Sequence, residues 1–468
     1  MNKKLVIFGA SGGGIKVAQT LQSFGIDFEC FLDNNLSKWG TALLDKQICS
    51  PQILLEDNYQ IIIASEYQAE IEKQLEEMGQ LSHLILKEDL ILPEIEKLLP
   101  KIKNKFGDWI ENESRTIIID LLEGVQLGGI ETWTCRVARE LQRQKENVLI
   151  YAVQTQMQPE EDIAGLFQYY ELSYLNFKEN VVLLARQLIR QLPCGVIINK
   201  HTQLLYAAHL VKEIVGDKIQ IISVLHSDSI VLYRRQKRID DITDKVMCVS
   251  VKIKNTLIRE FGVRAEKVFY KESPVYVSRD LQRGYLLDKN KPLKIGYVGR
   301  LVKLAKRADL LLELIKQLEE RQINYEIEIA GDGSYRKNLE EYVEKNGLEQ
   351  KVKIVGRIDS NDIPKFWRNQ DIFVNVSDFE GVGLSMLEAM AEGVVPIETN
   401  VAGAEEFIQN NQNGFVVDIG DIKKMVEYIS YMEKNRELVS VMGKRSYRLV
   451  KIKCSVHDYA NYLLNLCK

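Results

Sequence analysis

No apolar run in the 468 residues approaches the roughly 18 uninterrupted residues of a membrane-spanning helix. The start, Met1-Asn-Lys-Lys4, is like that of a signal peptide, but the apolar run after it breaks at Gly9-Ala-Ser-Gly12. A strand entering a turn is expected there, not a secretory leader. Cysteine is sparse: the seven residues, at 30, 49, 135, 194, 248, 454 and 467, are odd in number and have no pair at metal-ligand spacing. That pattern excludes a disulfide scaffold and fits the reduced thiols of a cytoplasmic protein. The five histidines form no metal constellation, so no metal site is expected. An excess of one charge is missing too: 62 Lys and Arg against 66 Asp and Glu leave a net −4, which excludes a chain-wide nucleic-acid binder. What remains is a soluble protein, at most peripheral at a membrane. It is 46% hydrophobic and 27% charged, and long enough for about three domains.

Strands alternating with helices run through the whole chain and predict parallel, doubly wound α/β sheets. Lys4-Leu-Val-Ile-Phe8, the glycines at 9 and 12–14, a helix over 15–24 and a strand over 27–32 ending at Asp33 form an opening βαβ unit. Asp33 lies where a Rossmann-like unit holds a ribose hydroxyl, although the glycine spacing departs from G-x-G-x-x-G. A further strand is expected over 60–64, and 94–115, with Lys101, Lys103 and Lys105, reads as a linker. Strands follow at 116–120, 147–153, 195–200, 219–225 and 245–249. A glycine turn, Gly128-Gly129-Ile130-Glu131, opens a long helix to about Gln144. Residues 271–292 read as a hinge. Strands then recur at 293–298, 326–330, 352–355, 371–376, 394–399 and 415–417, before a helical tail from Lys423. The expected domains are 1–105, 116–285 and 290–452, with 453–468 as a helix crossing back to the second of them. Tyr233-Arg-Arg-Gln-Lys-Arg238 reads as a solvated helix face, or as a patch for anionic lipid headgroups or a phosphate-bearing acceptor.

One stretch concentrates the chemistry: Ser377-Asp-Phe-Glu380-Gly381-Val382-Gly383-Leu384-Ser-Met-Leu-Glu388-Ala-Met-Ala-Glu-Gly393. It follows a buried strand, turns on two glycines and enters a helix whose Leu384, Leu387, Met390 and Ala391 face the sheet. Glu380 is placed on the loop and Glu388 on the helix, off its apolar face. Helix-start amides point into the crevice at the strand ends, where an anionic group is favoured.

This stretch resembles the signature of the retaining GT-B glycosyltransferases of glycosyltransferase family 4. Gly299-Arg300-Leu-Val-Lys-Leu-Ala-Lys306-Arg307 is similar to the family's phosphate-binding loop. Ala330-Gly331-Asp-Gly333 and Val355-Gly356-Arg357 are similar to its next two turns. Ala402-Gly403-Ala-Glu405-Glu406 resembles its Gly-x-x-Glu turn, with Glu405 where proline is usual, and Gly128-Gly129 its N-terminal loop. The first ~100 residues resemble the small domain of bacterial sugar O-acyltransferases. The resemblance implies a GT-B fold, two Rossmann-like domains facing a cleft, preceded by a third small Rossmann-like domain.

It also implies site roles. Arg300 and Lys306 would meet the departing diphosphate with Gly299 and the amides from Gly381 through Val382 and Gly383 to Leu384. Glu388 would accept hydrogen bonds from the ribose, Glu380 would lie beside the donor sugar, and His226 would donate to a sugar hydroxyl; His201 is a secondary candidate. The expected reaction is metal-independent transfer from a UDP- or GDP-sugar to a glycan, lipid-linked or cell-surface polysaccharide acceptor. No cofactor and no nucleic acid are called for, the place of action is the cytoplasm or the inner face of the membrane, and a homo-oligomer stays open. A catalytically silent GT-B subunit partnering an active transferase, a sugar-nucleotide epimerase and a phosphorylase are the alternatives.

Overall fold

The computed structural model describes residues 3–56, 58–104, 112–123, 128–153 and 159–468. Three sheets succeed one another along the chain, each at the heart of its own α/β layer. The first contains β1 (Lys4–Phe8), β2 (Cys30–Leu32), β3 (Ala42–Leu43), β4 (Lys46–Cys49) and β5 (Tyr59–Ile63), ordered β3-β4-β2-β1-β5. Only β3 pairs antiparallel, with β4. The second contains β6 (Thr116–Leu121), β7 (Asn147–Val153), β8 (Phe167–Tyr170), β9 (Cys194–Ile198), β10 (Ile219–Leu225), β11 (Lys245–Cys248) and β12 (Val268–Tyr270), ordered β12-β11-β10-β9-β6-β7-β8. The third contains β13 (Leu293–Val298), β14 (Tyr325–Ala330), β15 (Val352–Gly356), β16 (Ile372–Asn375), β17 (Val395–Thr399) and β18 (Phe415–Val417), ordered β15-β14-β13-β16-β17-β18. Both larger sheets are wholly parallel, and their inner strands are near-continuous Ile, Val and Leu runs because helices cover both faces.

The hairpin of β3 and β4 and the strands β8 and β12 were not expected from the sequence, and β2 begins three residues later than expected. The expected linker is a packed element in its first half. Helix Leu99–Lys103 follows helix Lys87–Glu96, and Leu98 and Ile102 are buried. They share one apolar core with Phe177, Leu204 and Tyr206 of the second layer, so the small first layer is fused to its neighbour. Lys105 and the rest of 105–111 lie outside the described residues. Asn112, just beyond, bonds through its amide to the Leu192 carbonyl at 2.9 Å.

The tail ends in helix Val456–Cys467, which returns to the second layer. Tyr459 meets Trp133 edge to face at 5.9 Å, in a core that also holds Leu141, Leu463 and Leu466. No helix among the described residues is long and apolar enough to cross a membrane.

The opening βαβ turn departs from the expected use. A Cβ on Gly13 would lie 2.6 Å from the Ala64 carbonyl oxygen, and one on Gly14 would overlap that of Gly9. These glycines let the helix sit close against the sheet. Asp33 does not stand open to a ribose either. Its Oδ2 accepts from the Ala10 amide at 3.1 Å and from Lys38 Nζ at 2.7 Å, and its Oδ1 from the Asn35 amide at 2.9 Å. Those bonds hold its carboxyl below the usual range although burial opposes them.

Candidate active site

The second and third layers face each other across a cleft of about 1320 Å³. All twelve residues singled out from the sequence line it. Gly128, Gly129 and His226 come from the second layer; Gly299, Arg300, Lys306, Glu380, Gly381, Val382, Gly383, Leu384 and Glu388 come from the third.

The floor of the third layer is built at the carboxyl end of β16. After Asn375 the chain turns through Ser377 to Glu380 and enters helix Leu384–Ala391 behind its N-cap, Gly383. The N-cap glycine has no side chain to cap that helix, and no other side chain among the described residues bonds to its first amides, which remain available to a ligand in the cleft. Glu380 Oε1 accepts from Lys306 Nζ at 2.6 Å, Ser377 Oγ at 2.9 Å and Asn375 Nδ2 at 3.4 Å. One oxygen thus gathers three donors, and among the described residues nothing bonds to Oε2. Lys306 is brought there by the loop after β13, where the Asp378 amide donates to the Ala305 carbonyl at 2.8 Å. Arg300 is exposed on the same loop and makes no ion pair among the described residues. Arg307 turns away and pairs with Asp309 at 3.1 Å and Asp378 at 3.2 Å.

Glu388 is held from across the cleft. Arg136, on helix Gly129–Arg143, donates from Nη2 to Glu388 Oε1 at 2.7 Å and from Nη1 to the Pro274 carbonyl at 2.7 Å. The guanidinium lies over the Tyr276 ring, 5.6 Å from its centroid. One Glu388 oxygen is therefore engaged where the sequence suggested two open to ribose. Arg136 was not foreseen, although a buried arginine two turns after the glycine turn, on the helix's inward face, is a readable signal.

His226 directly follows β10 and points the opposite way in hydrogen-bond sense from expectation. Burial drives its pKa down to about 3, so the ring is neutral. Its Nε2 lies 2.8 Å from Asn199 Oδ1, and the Asn199 amide nitrogen donates to the Asp120 carbonyl and to Thr134 Oγ1. That network assigns the ring proton to Nε2, leaving Nδ1 as an acceptor. The histidine can take a hydrogen bond from a sugar hydroxyl but has no proton left to donate. Trp133 fixes the ring edge to face at 5.2 Å.

Beneath Glu380 lies a carboxyl that sequence reasoning missed. Glu398, at the end of β17, is wholly buried, and its Oε1 accepts from Asn375 Nδ2 at 2.7 Å. Burial first, then the Glu380 charge, push its pKa up to about 8, against the pull of the Asn375 bond. At neutral pH it holds a proton. The folded state keeps that proton up to about pH 8, whereas an unfolded glutamate releases it near its ordinary pKa of about 4.3. Between those values the folded state binds the extra proton, so stability falls as pH rises through the window and levels off above it. Asp120, raised to about 7 by burial, adds a slope of the same sign. Glu398→Gln mimics the protonated form and is expected to flatten the profile. By urea denaturation at pH 5, 7 and 9, the wild type should lose on the order of a few kcal/mol more than the variant. Parallel profiles would show that Glu398 is ionised in the folded protein.

Residues 278–449 match the family described as "Glycosyl transferases group 1", residues 127–270 match "Glycosyltransferase Family 4", and residues 1–85 match "C2185-like, N-terminal". The chain is 25% identical over 256 residues to an N-acetyl-alpha-D-glucosaminyl L-malate synthase of Bacillus anthracis, covering 51% of this chain and 65% of the relative. It is 27% identical over 173 residues to a poly(ribitol-phosphate) alpha-N-acetylglucosaminyltransferase of Staphylococcus aureus, covering 37% of this chain and 34% of the relative. The chain thus spans less than two thirds of either relative's length. Among solved structures, Anabaena Alr3699/HepE in complex with UDP and glucose superposes with a TM-score of 0.63 at 17% identity, covering 75% of this chain and 99% of that one. The matched segments take in both halves of the cleft, and the chain belongs to the GT-B glycosyltransferases of group 1 and family 4.

Proposed function

We propose that the protein transfers a sugar from a nucleotide-sugar donor to an acceptor, with retention of anomeric configuration and without a metal. The observation that carries this reading is the corner formed by Lys306, Glu380 and the uncapped start of helix Leu384–Ala391, with Arg300 on the adjoining loop. Breaking a sugar–diphosphate bond builds negative charge on the leaving group and positive charge on the anomeric carbon. Lys306, Arg300 and the helix amides would receive the first, and Glu380 would steady the second through its unbonded Oε2. The cations would occupy the place that a metal takes in other transferases. Three donors converge on Glu380 Oε1, an arrangement that weakens this carboxylate as a nucleophile and favours a same-face reaction over a covalent intermediate. In such a reaction the leaving phosphate takes the acceptor's proton. Glu388 Oε2 would accept from a ribose hydroxyl, and His226 Nδ1 from a hydroxyl of the sugar.

The acceptor is proposed to be a glycan or a lipid-linked or cell-surface polymer. The relatives' names pair an N-acetylglucosaminyl group with L-malate in one case and poly(ribitol phosphate) in the other, both anionic. A panel of UDP- and GDP-sugars scored by thermal shift tests the donor, since a ligand of the native state alone raises its melting temperature. Glu388→Ala is expected to weaken the preferred donor by about 10–100-fold, the worth of a hydrogen bond to a charged group. A donor that binds both forms equally would remove Glu388 from the site, and an inverted product anomer by NMR would overturn retention.

A further inference from the structure

The cleft does not end at the two halves. It continues to the small first layer, where Glu66, Gln68, Ala69 and Lys87 line it opposite Lys200, His201 and Arg235. The basic run 233–238 explains how that wall is held. The run is solvated only in part: Lys237 and Arg238 are exposed, yet helix Ile230–Arg238 is clamped to acids of the first layer. Arg234 bonds to Glu72, Arg238 Nε to Asp89 Oδ1 at 2.5 Å, and Arg235 Nε faces Glu88 Oε1 at 3.8 Å. With the shared apolar core, these contacts seat the first layer as one side of the cleft.

Charge at this end is unevenly matched. Lys200 is near Glu123, at 3.5 Å, and Arg235 near Glu88, while Glu66 is exposed to water. Lys87 has no carboxylate within ion-pair distance among the described residues; its ammonium lies 5.9 Å from the Phe177 ring centroid. Burial lowers its pKa, the mark of a cation short of solvation. Around it stand buried polar atoms without hydrogen-bond partners: the donor Arg235 Nε, His201 Nδ1 and the two acceptor oxygens of Glu88. Arg235 Nε is a buried donor of the kind that protein, water or ligand ordinarily satisfies, while the Glu88 carboxylate lies near both Arg235 and Lys87.

We infer that the first layer completes the acceptor end of the cleft, with Lys87 and Arg235 holding an anionic group of the acceptor, a phosphate or a carboxylate. A partly buried ammonium and a guanidinium N–H make charge-assisted hydrogen bonds to either anion. The inference rests on the proposed transferase reading, which places the donor against Lys306 and Glu388 at the other end. It gives the extra layer a part in choosing the acceptor, and its own βαβ turn, with Asp33 engaged internally, is not needed for that part.

The test uses the full chain saturated with UDP, or with GDP in place of UDP throughout where the donor panel selects a GDP-sugar, so that the donor end is filled. Isothermal titration with sn-glycerol 3-phosphate in one arm and L-malate in the other then asks which anion binds. Saturable binding of either probe is expected, weakened about tenfold or more in Lys87→Met and largely kept in Lys87→Arg. UDP affinity should be the same in all three proteins. Equal probe binding by wild type and Lys87→Met overturns the inference, as does failure of both probes while UDP binds. Loss of UDP affinity in Lys87→Met would make this a donor site and overturn it too. If neither UDP nor GDP binds the wild type, the transferase reading fails, and the acceptor role of Lys87 with it.

Discussion

Replacing Lys306 with methionine is expected to lower turnover by about 10²–10³-fold, the range observed when one preorganised donor to a developing negative charge is removed. The substitution keeps the length of the stem and removes only the ammonium, which sits 2.6 Å from Glu380 Oε1. Glu380 then retains Ser377 and Asn375, so its carboxylate is not orphaned and the fold should survive. Glu380→Gln should give a loss of similar order from the other direction, because it removes the charge proposed to face the anomeric carbon and frees Lys306. The two side chains act as one unit, so the double variant should cost much less than the product of the single losses. Steady-state kinetics with the donor found in the panel, together with donor hydrolysis in the absence of acceptor, measure this. A Lys306→Met enzyme within threefold of wild type would show that the leaving group is stabilised elsewhere.

Much of this corner was readable because its signals are local. A buried apolar run, two glycines, two glutamates eight apart and a helix ending at Gly393 lie within about twenty consecutive residues, and the strands 219–225, 293–298 and 415–417 stand where the apolar runs put them. What escaped has its cause elsewhere in the chain. The partner of Glu388 is 252 residues away, and the acid that bonds Arg238 is 149 residues away, so neither pairing leaves a trace in spacing. The strands β3, β8 and β12 are two to four residues long and lie at sheet edges, too short for alternation to stand out. Glu398 was hidden by its type: an acid at the end of Val395-Pro-Ile-Glu-Thr399 reads as a strand terminus in water, and only the tertiary fold shows it buried and protonated. His226 was placed correctly in the cleft, but its hydrogen-bond sense depends on Asn199, which nothing in the sequence singled out.

Gly381→Ala is expected to lower turnover by about a hundredfold while changing nucleotide affinity only a few-fold, the cost of misplacing reacting groups that themselves remain intact. A Cβ at this position would overlap the His226 carbonyl oxygen and lie 2.9 Å from Val249 Cγ2, both on the opposite half. The obstacle is backbone, so no rotamer change relieves it; the halves must part. Parting them stretches every bond that crosses the cleft here. The Asp228 amide donates to the Glu380 carbonyl at 3.3 Å, Arg136 holds Glu388, and Glu406 accepts from the Val251 amide and from the Tyr270 hydroxyl, each at 2.7 Å. His226 would move away from Glu380, while Lys306, Glu380 and the helix amides, all on the third layer, would keep their mutual geometry. Donor binding should therefore persist and transfer should fail. Kinetics and nucleotide titration separate the two effects, and small-angle scattering should report a larger radius of gyration for the variant with nucleotide bound. A variant that keeps both wild-type turnover and wild-type dimensions would mean that the contact between Gly381 and His226 is not part of the state that reacts.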